Sequence, residues 1–375
     1  MNILVAPNSM KGSLSCFDFA DIVEEAFLAV SNDFIVRKIP VADGGDMTGE
    51  VLSRAMNAKE VEIEVNDPLG RPVLSKYSIS KQTAIIEMAG ASGIKLLKQD
   101  ELNPMVASTY GTGQLIADAM DKGCSEILLG VGGSATVDGG SGMLEALGFH
   151  LFNNEGQPLH GNGNNTANIK RIEKPSYLQD ISVKIICDVD NPLTGTDGAA
   201  IVFGPQKGAS PEMVEYLEKG LTNWASVLEQ YSGKRMAELK GAGAAGGIAI
   251  PLIAYYNAEI VPGSDFILSL LNFDEEVSWA DLVITGEGKI DSQTLNNKAP
   301  KSVADAAHKK NKPVVALGGT IKKGVSGAFD GIFSITDRPM SLEMAMNESR
   351  KLLYNFTYEL AKFIYGIEKY EQQKQ

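Results

Sequence analysis

The sequence predicts an α/β protein of two domains with mainly parallel sheets. Three observations lead there. Short apolar runs alternate with helical-period segments along the whole chain. The strand-like runs repeatedly end in polar loops that carry glycine or a carboxylate. A chain of 375 residues is also too long for one compact core.

Ile3-Leu4-Val5-Ala6 is an uninterrupted apolar run, as suits a strand buried on both faces. Residues 13–30 have helical period: Phe19, Ile22, Val23, Ala26 and Phe27 share a face, and Ser13 or Ser15 can cap it. Further strands are predicted at residues 34–41, 84–88, 127–131, 183–187, 282–285, 314–317 and 332–335. Helices are predicted at 109–122 (closed by Gly123), 302–310 and 341–365. Another helix has Ser210 as cap, Pro211 in its first turn and Gly233 beyond its end. Its Val214, Leu217, Leu221, Trp224, Leu228 and Tyr231 recur every three or four residues. That spacing could make a dimer seam, but a seam normally needs more heptads, so packing on its own domain is favoured.

The first strands and those after Ala280 both end in glycine-bearing loops, so they are expected to share one sheet. The middle of the chain is then an inserted domain, giving residues 1–75 with 281–375 and residues 76–280. Ligands of open α/β sheets sit at the carboxyl ends of strands, so the site is expected in the cleft between the two domains.

Composition narrows the function. Hydrophobic residues at 44% and charged residues at 22% are ordinary for a soluble globular protein. No apolar run is long enough to span a bilayer. Met1-Asn2-Ile3-Leu4-Val5 opens directly as a strand, unlike a signal peptide, and a cytoplasmic enzyme with no membrane partner is expected. The net charge of −13 argues against nucleic acid as partner. It does not argue against phosphate, since charges beyond about 8 Å are largely screened at physiological salt. Cys16, Cys124 and Cys187 have no paired spacing, so neither a CxxC site nor a disulfide framework is indicated.

The most informative stretch joins the strand Glu126-Ile127-Leu128-Leu129 to Gly130-Val131-Gly132-Gly133-Ser134-Ala135-Thr136-Val137-Asp138-Gly139-Gly140. Glycines let an anion approach backbone N–H groups, and a helix starting just after them would turn its positive end to the same spot. There is no G-x-x-x-x-G-K-[ST], no protein-kinase signature and no G-x-S-x-G elbow, and His150, His160 and His308 are isolated. Gly130 to Ala135 fits G-x-G-x-x-A and Gly241 to Gly246 fits G-x-G-x-x-G. Either match alone is weak, because tight packing explains such runs about as often as phosphate binding.

Other loops carry chemistry. Lys11 follows the first strand within Ala6-Pro7-Asn8-Ser9-Met10-Lys11-Gly12-Ser13, where a point charge can meet phosphate or carboxylate. Asp43 ends a strand before Gly44 and Gly45. Asp188 and Asp190 follow a buried strand, positions suited to Mg²⁺ or to a base, though an Asx turn would use the same residues. Gly286-Glu287-Gly288-Lys289-Ile290-Asp291 reads as a glycine-flexed loop with acids and a lysine. Asp67-Pro68-Leu69-Gly70-Arg71 is a turn that offers an arginine for bidentate carboxylate recognition.

Ten segments run in order across nearly the whole chain. They are APNSMKGSLS from Ala6, PVADGG from Pro40, DPLGRPV from Asp67, IIEMAGASGI from Ile85 and ASTYGTGQLI from Ala107. GVGGSATVDGG from Gly130, CDVDNPLTG from Cys187, FGPQKGA from Phe203, GAGAAGG from Gly241 and ADLVITGEGKIDSQT from Ala280 complete the set. In this combination the chain resembles the type-1 glycerate kinases, bacterial enzymes that phosphorylate D-glycerate with ATP. The family usually carries Asp at the position of Asn8, Asn at Val137 and Gly at Met47.

The resemblance implies two three-layer α/β domains, one of them Rossmann- or flavodoxin-like and completed by both chain ends. It implies ATP and Mg²⁺, and a product phosphorylated at the 2-hydroxyl in preference to the 3-hydroxyl. On it, Gly132, Gly133, Ser134, Asp138 and Glu287 are assigned to ATP, and Asp188 and Asp190 to Mg²⁺. Ser9 and Arg71 are assigned to glycerate, Arg71 to its carboxylate. Lys11 neutralises the transferring group, and Asp43 or Asp188 takes the hydroxyl proton. A homo-oligomer is compatible with all of this. The alternatives are a kinase of another small hydroxy acid, or a non-catalytic sensor of nucleotide or metabolite on the same fold.

Overall fold

The structure, a computed structural model, describes every residue except 46, 296, 297, 323, 326, 374 and 375. Its strands in chain order are β1 (Asn2–Val5), β2 (Ile35–Lys38), β3 (Lys59–Asn66), β4 (Pro72–Ser80) and β5 (Thr83–Glu87). They continue with β6 (Glu126–Gly130), β7 (His150–Phe152), β8 (Pro158–Leu159), β9 (Arg171–Glu173) and β10 (Ser182–Ile186). β11 (Glu259–Val261), β12 (Leu282–Ile290), β13 (Val314–Ile321) and β14 (Gly331–Ser334) follow. The chain divides into two compact units, residues 1–47 with 262–375, and residues 48–261.

The first unit is built on a sheet of order β14-β13-β12-β1-β2. Every neighbouring pair in it is parallel. Numbered along this unit alone, the order is 2-1-3-4-5, the flavodoxin-like winding. Strand alternation makes three layers. Ile3, Val5, Leu282 and Ile284 join the cluster that holds Phe19, Phe27 and Leu353. Leu4, Ala6 and Val283 join the opposite cluster with Val303, Ala307 and Phe273. The helix Cys16–Val30 buries the face the sequence marks out. Ser15 caps it: its hydroxyl accepts from the Asp18 N–H while the Asp18 carboxylate accepts from the Ser15 N–H. The single helix predicted at 341–365 is instead two, Leu342–Asn347 and Ser349–Gln372. Glu348 at the joint grips Arg338 through both carboxylate oxygens, at 3.0 and 2.8 Å.

The second unit has a sheet of order β11-β10-β6-β5-β4-β3 and a small antiparallel sheet β8-β7-β9. β11, β10, β6 and β5 are parallel. β4 is antiparallel to β5 and to β3. The hairpin β3–β4 moves the boundary from the expected residue 75 to residue 47, because its ladder continues into β5 and not into the terminal sheet. On the far side the boundary falls at 262 rather than 281. There, the helices Gly263–Leu270 and Phe273–Trp279 pack Leu268, Phe273 and Val277 into the terminal core. The helix Pro211–Ser232 buries Leu217, Leu221, Trp224 and Leu228 within its own unit, which accounts for its apolar spacing.

Two glycine runs meet in this unit. Gly246 has φ +72°, and a Cβ there would stand 2.1 Å from the Thr136 carbonyl oxygen. The Gly139 N–H donates to the Gly246 carbonyl at 2.9 Å. The 241–247 run therefore packs as a wedge against the glycine turn after β6. Gly246→Ala should cost about 2–4 kcal/mol, the sum of an overpacked contact and a left-handed backbone. Gly156→Ala, at φ +79° with nothing within 4 Å of its Cβ, should cost about 1 kcal/mol. Urea unfolding of both variants checks this, and equal losses would remove the wedge argument.

Candidate active site

In the first unit β1, β2 and β12 run parallel, so the chain leaves all three at one sheet edge. In a 2-1-3-4-5 winding the connections reverse between the first and third strands, here β1 and β12. The Asn8 N–H donates to the Gly286 carbonyl at 2.8 Å and keeps the chain after β1 zipped to β12. The Asn8 Oδ1 accepts from the Ser9 N–H at 2.7 Å. Its amide NH₂ therefore faces the other way and donates to Asp43 Oδ2 at 3.3 Å. The Gly45 N–H donates to Asp43 Oδ1 at 3.2 Å. Both oxygens of a half-buried carboxylate are thus held from the protein side. Lys11 is exposed on the loop after β1. Its backbone lies close over β12, since a Cβ on Gly288 would stand 3.6 Å from the Lys11 nitrogen.

Glu287 is not on a flexed loop. β12 runs on to Ile290, paired with β13 as far as Ile321. Gly286 is there for closeness: a Cβ would stand 2.2 Å from the Leu317 carbonyl oxygen. Glu287 is buried and accepts from the Thr294 hydroxyl at 2.6 Å. Burial pushes its carboxyl up, and the charges of Asp43 and Asp291 add to that while Lys298 opposes. Asp291 goes the other way, held below the usual carboxylate range by Lys289 at 2.6 Å. Ser9, Lys11, Asp43 and Glu287 thus share one sheet edge.

In the second unit β6 delivers the chain to the glycine turn. The helix expected just after these glycines does begin there, at Ser141, but Ser141–Ala146 has only 6 residues and offers little dipole to the turn. Gly139 and Gly140, at φ +59° and +71°, redirect the chain first. The turn's N–H groups and side chains are what remain to receive an anion. The turn is pinned by the Ile94 N–H on the Gly133 carbonyl (2.8 Å) and the Ala135 N–H on the Ser92 carbonyl (2.9 Å).

Asp138, expected at the nucleotide, is fully buried. It accepts from the Thr109 N–H (2.8 Å), the Thr109 hydroxyl (2.7 Å), the Gly140 N–H (3.1 Å) and the Gly142 N–H (3.3 Å). Its oxygens are taken up in shaping the turn. Ser134 is buried too, and its hydroxyl oxygen accepts from Lys207 Nζ at 2.7 Å. Lys207, 2% exposed, also donates to the Thr136 carbonyl at 2.6 Å. Burial lowers its ammonium to about 7, with Asp138 pulling it upward. The sequence reading missed Lys207 as a site residue, because a lysine on a loop ordinarily reads as solvated. The signal lay in FGPQKGA: a tight turn, Pro205–Lys207, closed by Gly208 at φ +92°.

β3 runs in the direction of β5, so the 67–71 turn leaves at the same edge as the glycine turn. Arg71 is already engaged there. Its Nε donates to Asp67 at 2.6 Å and its Nη1 to Glu101 at 2.6 Å. A ligand carboxylate would have to compete with Glu101 for the fork. Asp188 is half-buried after β10, and Asp190 is exposed and 3.6 Å from Lys240. Burial first, then these two carboxylates, push the Cys187 thiol up to about 11. No group of three or more His, Cys, Asp and Glu suited to a metal occurs among the described residues. Two carboxylate donors without a full cage fit Mg²⁺, which keeps waters and shares substrate phosphates.

Fold and side chains together define an α/β phosphotransferase without a P-loop. The family model described as the glycerate kinase family matches residues 3–365. A glycerate kinase of Halalkalibacterium halodurans is 41% identical over 360 residues, covering 94% of this chain and 95% of that protein. A glycerate 2-kinase of Escherichia coli is 38% identical over 344 residues, covering 89% and 90%. A crystal structure of a provisionally assigned glycerate kinase 2 from Salmonella typhimurium LT2 superposes with a TM-score of 0.85 at 37% identity, covering 98% and 99%. The chain belongs to the glycerate kinase family.

The state of Glu287 can be read in stability. A carboxyl raised in the folded state binds its proton more tightly there than in the unfolded chain. Its contribution is present below the ordinary glutamate value of 4.5 and is lost as pH rises through the folded value. Denaturant midpoints of Glu287→Gln should therefore gain on the wild type as pH rises from 4.5 through the folded value, and hold level above it. Parallel curves for the two proteins would refute the raised carboxyl.

Proposed function

We propose that this chain transfers the terminal phosphate of ATP to D-glycerate and forms 2-phosphoglycerate. The observation that carries the reading is Asp43, a carboxylate held by Asn8 and Gly45 at the ligand-binding edge of a flavodoxin-like sheet. Family membership supports the substrates, and the relative named glycerate 2-kinase supports the position of transfer.

Phosphoryl transfer asks a protein for positioning and charge stabilisation. Asp43 accepts the proton of the glycerate hydroxyl as that oxygen bonds to the terminal phosphorus. The bond from that phosphorus to the bridging oxygen breaks, and ADP leaves with the electron pair. Lys11 offsets the charge on the phosphoryl oxygens. Ser9 orients glycerate. Gly132, Gly133 and Ser134 receive the phosphates, with Asp138 acting behind them on the turn's shape. Asp188 and Asp190 would hold Mg²⁺, which when bound neutralises phosphate charge. Glu287, whose carboxyl burial pushes up, lies near enough to Asp43 to feel its charge and serves the nucleotide as a hydrogen-bonding group. Arg71 takes the glycerate carboxylate by exchanging it for Glu101. Three buried free thiols agree with a reducing, cytoplasmic setting. No helix among the described residues is long and apolar enough to cross a membrane.

The product decides the reaction. With D-glycerate and MgATP, proton-coupled ³¹P NMR should give a doublet, because a phosphate on C2 has one neighbouring carbon-bound hydrogen. A triplet would move the transfer to C3, and no new signal would end the proposal. Asp43→Asn should lower kcat by ~10²–10⁴, and near-normal turnover would remove it as the base. Asn8→Asp would set a second carboxylate against Asp43 and raise the pair's titration. The acid limb of kcat/KM should then move to higher pH. An unmoved limb would mean that Asn8 does not control the base.

A further inference from the structure

We propose that Lys207 is a positioning residue that acts through Ser134, fixing its hydroxyl as a charge-assisted donor to a polyphosphate. This rests on the reading that the turn after β6 takes the phosphates of ATP.

Lysine is almost never fully buried unless it is paired, yet Lys207 is buried without a carboxylate of its own. Among the described residues no carboxylate oxygen bonds it, and Asp138 acts on it only through space, its oxygens being taken by Thr109, Gly140 and Gly142. The two recorded acceptors of the ammonium are neutral, Ser134 Oγ at 2.7 Å and the Thr136 carbonyl at 2.6 Å. Both belong to the glycine turn. An ammonium carries three donors and no acceptor. When it is protonated the Ser134 oxygen can only accept from it, so the serine's own hydrogen must point elsewhere. No acceptor for that hydrogen occurs among the described residues. A hydroxyl polarised by a cation, with its proton uncommitted, is a donor prepared for an anion.

The lysine is also built in from behind. It ends the turn Pro205–Lys207, and the next residue, Gly208, has φ +92°. A Cβ on Gly208 would stand 2.3 Å from the Leu102 carbonyl oxygen. The backbone cannot back away without breaking that contact, so Nζ is held against the turn. An uncharged side chain could fill the same space with less desolvation. What it could not do is polarise Ser134.

Calorimetric titration of the whole chain with MgATP, glycerate omitted, tests this. Ser134→Ala and Lys207→Met should each weaken binding about tenfold or more, and the double variant should be no weaker than the worse single one. Lys207→Met binding within about twofold of wild type, or losses that multiply in the double variant, would overturn the proposal. If Lys207→Met does not fold, wild type and Ser134→Ala are compared from about pH 6 to 9, a range spanning the lysine's lowered value of about 7. Asp138, whose carboxyl burial pushes up, is the titratable group whose field reaches the ammonium, and its titration and that of ATP are common to both proteins. The wild-type advantage should shrink as pH rises and the ammonium loses its charge, whereas a constant advantage would overturn the proposal. Turnover of D-glycerate, assayed separately, reports on the reaction. A chain that binds ATP with this coupling and yields no phosphoglycerate would refute the proposed function and leave the role of Lys207 standing.

Discussion

The second unit's glycine turn depends on one buried carboxylate. Asp138 is removed from water, a large cost for an ionised group. Burial pushes its carboxyl up against four donors, which come from two places: Thr109 at the start of the helix Tyr110–Asp121, and Gly140 and Gly142 at the end of the turn and just past it. The carboxylate therefore ties the chain before that helix to the chain after β6. The constraint spreads outward. The Ser108 N–H, next to Thr109, donates to the Pro68 carbonyl at 2.9 Å, inside the turn that carries Arg71. The Ser108 hydroxyl donates to the Gly161 carbonyl at 2.6 Å. Gly142 must be glycine for this to close, because a Cβ would stand 2.0 Å from Ser108 Oγ. Asp138 thus does its work at one remove from any ligand.

The first unit solves the same problem with a sheet. Parallel strands deliver their loops to one edge at no further cost, and the connections reverse between β1 and β12 at that edge. What the sequence must supply is close backbone approach. Gly286 and Gly288 do this along β12, the first against β13 and the second under the loop that carries Lys11. Asp43 and Glu287 then lie near enough to feel each other's charge while differing in surroundings. Asp43 is half-exposed with a donor on each oxygen, and Glu287 is buried behind a hydroxyl. The two carboxyls therefore sit in unlike environments, and burial pushes that of Glu287 up.

Much of this was legible in the sequence, and the gaps have physical causes. Strands buried on both faces announce themselves as apolar runs, so Ile3 to Ala6 and Glu126 to Leu129 were found. The β3–β4 hairpin was not, because Lys59, Glu60, Glu62, Glu64 and Lys76 give it a solvated face with no apolar run. Its turn alone was visible, and the expected boundary at 75 fell inside β4, beyond the helix Thr48–Ala55 and the first strand of the hairpin. Glycine was the most ambiguous letter. In 286–288 it read as flexibility and proved to be contact. In 241–247 it read as a second phosphate loop or as packing, and the packing sense held. Lys207 was missed, since FGPQKGA signals the tight turn but not the burial of the lysine that ends it. Its burial is set by Thr136 and Ser134, some seventy residues away.

Asn8 shows what one substitution can change while the frame stays fixed. Its amide is oriented by a neighbour, since the Ser9 N–H claims Oδ1 and leaves the NH₂ for Asp43. An aspartate, which the resemblance leads one to expect there, could accept from Ser9 in the same way. It could not donate to Asp43 unless protonated, so two carboxylates would share one proton at that position. With asparagine no proton is shared, and Asp43 has a neutral amide donor on one oxygen and a backbone donor on the other. The pair has exchanged a titrating partner for a fixed one. Asp43 is left with two partners that only donate, so the frame around it is fixed by hydrogen bonds alone.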